Sequence, residues 1–254
     1  MKSKNIIIVE NLKKSYNKVV AVDGISFEVK EGETFGMLGP NGAGKTSTLE
    51  MIEGLRKIDE GTATIDGINV SRKPDAVREI VGIQLQSASY FDNLSVCEIL
   101  ELFGKFYNRT VNLKSLIEKV HLEGKEKAYA NQLSGGQKQR LSIASSLVNN
   151  PKVLFLDEPT TGLDPQARRN LWDLIKDIKE TENITVMLTT HYMEEAEELC
   201  NRVAIMDEGK IIALDTPDAL IKQLLKRGFK PKKLRLSATL DDVFLDLTGK
   251  ALRE

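Results

Sequence analysis

The residues best placed to do chemistry fall in four short stretches. GPNGAGKT, Gly39 to Thr46, is a loop of glycines ending in a lysine and a hydroxyl, and it fits the pattern G-x-x-x-x-G-K-[ST]. Glycine tolerates positive φ and lets backbone approach a ligand closely. The N–H groups of Gly39, Asn41, Gly42, Ala43 and Gly44, with the helix N-terminus that follows Pro40 and its loop, can surround a phosphate. Lys45 adds a point charge, the Thr46 hydroxyl can ligate Mg²⁺, and Ser47 supplies a second hydroxyl. A chance match in a chain of this length is on the order of one per cent. In VLFLDE, Val153 to Glu158, an apolar run ends in two carboxylates. Asp157 can hold Mg²⁺ through water, and Glu158 can take a proton from an attacking water. Alone, such a pair would equally cap an exposed helix. LSGGQKQR, Leu133 to Arg140, is a second glycine turn ahead of a helical pattern, with Ser134 as N-cap. Ser134, Gly135, Gly136 and Gln137 could hold a second anion or form an ordinary turn. His191 follows the apolar run ITVMLTT, at a strand end where parallel sheets bind ligands.

These stretches need a scaffold, and the pattern around them supplies one. Residues 6–9 and 19–30 read as short strands, with Asp23-Gly24 as a turn. A strand over 33–39 runs into the glycine loop, and a helix follows from Lys45 to Gly54. Strands are expected at 79–85, 153–157 and 184–190, with two more in VAIMD and KIIALD. Apolar spacing near 3.6 (Leu94, Ile99, Leu102, Phe103, Phe106; then Leu113, Leu116, Ile117, Val120) marks a helical insert. Helices are expected at Pro165–Thr181, with Asp164 as N-cap and Pro165 at its first position, at Tyr192–Cys200 and at 216–226. Glu194 and Glu195 suit the dipole at the start of their helix. The alternation implies a mainly parallel sheet covered on both faces.

Bulk properties narrow the functional classes. Hydrophobic residues make up 41% and charged residues 29% of the 254, the balance of an ordinary globular domain. Lys+Arg number 36 against 37 Asp+Glu, so net charge gives no reason to expect nucleic acid as a partner. Cys97 and Cys200 form no CxxC pair, and reduced packing cysteines are expected. The apolar run at Ile6–Val9 is too short for a signal peptide, and no segment approaches the ~20 residues of a membrane span. The stretch 222–235 is basic, either a solvated linker or a contact for anionic headgroups or an acidic surface.

Together, GPNGAGKT, LSGGQ (the family's signature turn) and VLFLDE, in that order, resemble the nucleotide-binding subunits of ABC transporters over residues 6–215. The resemblance implies a P-loop NTPase core of class α/β: a mainly parallel sheet flanked by helices, an N-terminal antiparallel β subdomain and an inserted helical subdomain. It divides the chain into an ATPase domain at 1–215, with the helical lobe inserted at about 88–150, and a C-terminal extension at 216–254. It implies ATP and Mg²⁺ as cofactors, with Glu158 as base, Lys45 and His191 at the γ-phosphate, and Thr46, Asp157 and Gln86 at the metal. Gln86 is matched to the family's glutamine that reaches Mg²⁺ and water, although Gln84 leaves the register open. Tyr16 is matched to the aromatic that stacks on adenine, with plain surface packing the alternative. Asp164 is matched to the loop that crosses to a second subunit. Two subunits, identical or similar, would pair so that Ser134, Gly135, Gly136 and Gln137 of one close on the ATP of the other.

The tail HYMEEAEELCNRVAIMDEGKIIALDTP, with ATLDDVFLDLTGKALRE, resembles subunits that serve ABC-2-type exporters of drugs, antibiotics, lipids or polysaccharides. Asp241–Leu247 would be a short amphipathic helix. The resemblance places the chain on the cytoplasmic face of the cell membrane, against a separate integral permease received by the helical lobe and the segment near Ser87–Phe91. The competing readings are a soluble ABC ATPase acting on nucleic acid or the ribosome, and a P-loop kinase, in which LSGGQ would have no role.

Overall fold

The computed structural model describes residues 4–86, 89–229, 243 and 246–247. The expected helix at 241–247 therefore lies largely outside the described residues, as do Ser87 of the expected permease contact and 230–235 of the basic stretch. The chain opens with β1 (Asn5–Tyr16) and β2 (Val19–Lys30), a long antiparallel pair. Both are longer or more continuous than the sequence suggested. Asp23-Gly24 makes no turn: Gly24, at φ +68, is taken up inside β2 where the pairing register with β1 shifts. Tyr16 is thus the last residue of β1.

The core strand β3 (Thr34–Leu38) leads through the glycine loop into α1 (Lys45–Ile52). Next come β4 (Glu60–Ile65), β5 (Ile68–Asn69), a short α2 (Pro74–Arg78) and β6 (Val81–Gln84). The insert contains α3 (Val96–Phe106), α4 (Leu113–Lys119) and α5 (Gly135–Leu147). Alternation then resumes with β7 (Val153–Asp157), α6 (Pro165–Glu182), β8 (Thr185–Thr190) and α7 (Met193–Leu199). It closes with β9 (Arg202–Asp207), β10 (Lys210–Asp215) and α8 (Pro217–Lys226).

Two sheets result. One is antiparallel, in the order β2-β1-β4-β5; the other runs β10-β9-β3-β8-β7-β6 and is parallel except for β10. Every residue of β3, β7 and β8 is buried, as continuous apolar runs in a sheet covered on both faces require. Phe35 and Phe155 are among the largest fully buried side chains, each stabilising the fold by about 1.5–3 kcal/mol relative to exposure.

The helical insert does not form a core of its own. Val96, Ile99, Leu100, Leu116, Ile117 and Val120 belong to the same apolar cluster as Leu154, Leu156 and Leu188 of the sheet. Phe106, which the helical spacing placed on the inner face, is 68% exposed at the end of α3. The joint is α5. Its buried half, Leu141 to Leu147, rests on β6 at Gly82, where a Cβ would come within 2.0 Å of the Ser146 carbonyl oxygen. Asn149, just past α5, seals the contact by donating to the carbonyls of Arg78 and Val81.

Candidate functional site

Strand register assembles the site. Leu38 at the end of β3 sits opposite Thr190 at the end of β8, and Asp157 at the end of β7 sits opposite Thr189. The glycine loop, His191 and Glu158 each follow one of these ends, so three separate stretches of sequence meet on one edge. A cleft of about 540 Å³ opens there, lined by Asn41, Gly42, Gly44, Lys45, Thr46, Ser47 and residues facing them, Gln86, Glu158 and His191 among them.

The glycine loop is shaped by positive φ and by crowding. Gly44 has φ +100, and a Cβ on it would come within 2.3 Å of the Ala21 carbonyl oxygen. Gly39 is hemmed in the same way by the Met206 carbonyl oxygen, also at 2.3 Å. Only a residue without a side chain fits these two positions while the loop stays folded over the start of α1. Lys45 is buried, with its ammonium donating to the carbonyls of Gly39 at 2.9 Å and Pro40 at 3.1 Å. Ala43 is buried beneath the loop. Burial pushes the Lys45 ammonium below its ordinary pKa, against the pull of Glu158, whose Oε1 lies 3.5 Å away.

The two carboxylates point to different work. Thr46 donates to Asp157 Oδ1 at 3.3 Å, and Thr189 donates to the same oxygen. Burial raises the Asp157 pKa, opposed first by the Thr189 hydroxyl. Glu158 has φ +48, and its N–H donates to the Thr189 carbonyl and hydroxyl. Its carboxylate is met by Thr161 Oγ1 at 3.2 Å and by Gln86 Nε2 at 3.3 Å. His191 Nδ1 lies 3.2 Å from Glu158 Oε2, out of line for a hydrogen bond.

The Gln84/Gln86 ambiguity has a geometric answer. Gln84 is buried and turns its amide back on the Leu85 carbonyl, while Gln86, two residues past β6 rather than at its end, is the one in the cleft. The Tyr16 hydroxyl lies 3.2 Å from Ser47 Oγ, which puts its ring at the mouth of the glycine loop, with the Arg56 guanidinium 5.3 Å from the ring centre.

Other predicted residues stand apart from this cleft. Ser134 caps α5, accepting from the Gln137 N–H while Gln137 Oε1 accepts from the Ser134 N–H. Gly135 and Gly136 face Leu163 and Ala167 across the start of α6, and Ser134 and Gly135 are exposed. Asp164 caps α6, accepting from the N–H groups of Gln166 at 3.0 Å and Ala167 at 2.9 Å. The signature turn therefore presents its free side outward, away from the cleft of its own chain.

One residue read differently in the sequence. Glu195 was expected to serve the α7 dipole, yet it is fully buried and accepts hydrogen bonds from Thr160 and Trp172. Local sequence hides this, because its partners lie 35 and 23 residues away.

As for a metal, the described residues contain no group of three or more His, Cys, Asp or Glu that could hold one. The Thr46 hydroxyl and Asp157 carboxylate nevertheless form a hard oxygen pair beside a phosphate loop. That fits Mg²⁺, which is commonly bound by one or two protein groups together with substrate phosphates.

The family model described as ABC transporter matches residues 22–161. Nod factor export ATP-binding protein I of Paraburkholderia xenovorans is 44% identical over 217 residues, covering 84% of this chain and 71% of that protein. Linearmycin resistance ATP-binding protein LnrL of Bacillus subtilis is 40% identical over 220 residues, covering 85% and 70%. An ATP-binding subunit of an ABC transporter of known structure superposes with a TM-score of 0.81 at 26% identity, over 96% of this chain and 99% of that one. The dimeric structure of MJ0796, a bacterial ABC transporter cassette, gives 0.75 at 28% identity, over 83% and 98%. With the phosphate loop, paired carboxylates and signature turn arranged as described, the chain belongs to the ABC transporter family and is one of its ATP-binding, ATP-hydrolysing subunits.

Proposed function

We propose that this subunit hydrolyses MgATP in a site closed by a second cassette and drives an exporter permease. The observation that carries the reading is the split of polar groups into two sets. Lys45, Thr46, Gln86, Glu158 and His191 converge on one cleft, with Asp157 hydrogen-bonded to Thr46, while Ser134 and Gly135 lie exposed at the α5 N-terminus. Backbone N–H groups from Gly39 to Thr46 bind the phosphates, and Tyr16 offers a face for the base. Thr46 and Asp157, with Gln86, would hold Mg²⁺, which supplies charge neutralisation on the phosphate oxygens. Glu158 takes the proton of the attacking water, oriented by Gln86 and Thr161. Lys45 and His191 stabilise the charge developing on the transferred phosphoryl group. The exposed helix N-terminus at Ser134–Gly136 is suited to the terminal phosphate bound by a partner, with Asp164 at the crossing. Hydrolysis removes the group bridging the two chains and loosens the pair.

No helix among the described residues is long and apolar enough to cross a membrane. In this reading the subunit works from the membrane's cytoplasmic face, against a separate permease. The exporter reading comes from relatives named for Nod factor export and linearmycin resistance. These names also leave the nucleic-acid alternative without support. In this reading the ATPase domain spans 1–215, with the lobe inserted at about 88–150, and 216–254 is an extension. The test is co-expression with the membrane protein encoded beside the gene. Retention of the subunit on that partner in detergent, with vesicle-reconstituted ATPase activity above that of the free subunit, supports the reading. A subunit that binds nucleic acid in a salt-dependent way and no membrane partner would overturn it.

A further inference from the structure

The loop after β7 carries a residue that the chemistry above leaves unused. The buried Thr160 hydroxyl donates to Glu195 Oε1 at 2.7 Å. The same oxygen accepts the indole N–H of Trp172, in α6, at 3.0 Å. Glu195 lies in the first turn of α7, four residues beyond His191, and is 0% exposed. Burying an ionised carboxylate costs several kcal/mol, so an acid placed here against the apolar core needs a reason. Burial raises its pKa, against the hydrogen bonds from Thr160 and Trp172 and the charge of Arg168.

A second line of contacts runs beside the first. The Arg168 guanidinium of α6 sits over the Tyr192 ring, 4.0 Å from its centre, and the Tyr192 ring lies 4.1 Å from that of His191. Glu158 and His191 thus approach each other directly, at 3.2 Å, and are also linked around a path through Thr160, Glu195, α6 and Tyr192.

We propose that Glu195 is a positioning residue that fixes His191 relative to Glu158, by tying the loop 158–161 to α6 and to the first turn of α7. The proposal rests on the assignment of Glu158 as base. Its Oε1 accepts both hydrogen bonds, and a glutamine carbonyl can accept the same two, so the bracing calls for an acceptor of this shape rather than for a charge.

The test uses the full chain with Glu195→Leu, Glu195→Gln and Thr160→Val, and Glu158→Gln in parallel. Trp172 is the sole tryptophan of the sequence, so its emission reports directly on the Glu195 contact. Glu195→Leu is expected to shift that emission and lower kcat about tenfold or more, with KM for ATP within about twofold. Glu195→Gln is expected to keep kcat within about threefold, and Thr160→Val to show part of the Leu variant's loss. On a His191→Ala background, Glu195→Leu should cost less than on the wild type, as coupled residues do. Wild-type kcat in a folded Glu195→Leu variant, or equal damage from Gln and Leu, would overturn the proposal. If Glu195→Leu loses its helical signal, an unchanged kcat in Thr160→Val overturns it instead. Full activity in Glu158→Gln would sink the base assignment separately, because the kcat of the Glu195 variants is read on its own.

Discussion

Replacing Glu158 by glutamine separates binding from chemistry, and the structure sets the size of each effect. The carboxylate is met by Lys45 at 3.5 Å on Oε1 and by Thr161, Gln86 and His191 within 3.3 Å on Oε2. An amide of the same shape can leave its oxygen with Thr161 and Gln86 and turn its NH₂ toward Lys45. It cannot take a proton from water. Loss of a general base costs typically 10²–10⁴-fold, so kcat should fall by that range, about 3–5 kcal/mol in barrier. The glycine loop is untouched and one negative charge beside the triphosphate is gone, so ATP affinity should hold or rise. The nucleotide-free fold should weaken slightly, since buried Lys45 loses its carboxylate neighbour. It keeps two carbonyl acceptors and the field of Asp157, which limits the cost to about 1–2 kcal/mol. For a chain of this size that is about 2–8 °C in Tm, restored by ATP. Single-turnover hydrolysis and melting with and without ATP measure both parts. Hydrolysis at the wild-type rate, or loss of ATP binding, would refute the reasoning.

Three further outcomes are expected. Gly44→Ala should weaken ATP binding at least tenfold while the rest of the fold persists, because the new Cβ meets the Ala21 carbonyl oxygen at 2.3 Å and the residue is held at φ +100; titration with a fluorescent ATP analogue checks this. Glu53 is 1% exposed with neither carboxyl oxygen partnered, and burial pushes its pKa from 4.5 to about 8. The folded state holds that proton more tightly, so the stability it contributes is fully present below pH 4.5 and lost as pH rises through about 8. Glu53→Gln should therefore melt higher than the wild type, by more at pH 8.5 than at pH 5; an equal difference at both would contradict the burial argument. Asp164→Ala removes the acceptor for two N–H groups at the start of α6 and should cost about 1 kcal/mol, read as a small drop in Tm by calorimetry.

Much of the site could be read from the sequence because its parts are local. A glycine loop between a strand and a helix, a carboxylate pair after an apolar run and a serine ahead of a helical pattern each carry their context within ten residues. The β3, β7 and β8 strands were legible for the same reason, as uninterrupted apolar runs. What the sequence hid depends on partners far along the chain. Residues 10–16 alternate poorly, yet they extend β1 because β2 and β4 pair with its two edges. Asp23-Gly24 carries turn residues but lies inside a strand, since the sheet absorbs the irregularity as a register shift. Gln86 and Gln84 are equivalent as text, and only the end of β6 decides which enters the cleft. Glu195 resembles any acidic residue at a helix start until α6 is packed beside it.

The seating of α5 on Gly82 has a mechanical meaning. The backbone contact at Ser146 is a fulcrum, and the exposed Ser134–Gly135 end lies some eleven residues away, about 16 Å along the helix axis. A tilt of about 10° about that point displaces the far end by about 3 Å, close to the length of one hydrogen bond. A small rotation of α5 would therefore be large enough to make or break contact between the signature turn and whatever lies opposite it. The α5 helix, packed against both the helical insert and the sheet, is the arm along which such a rotation would pass between them.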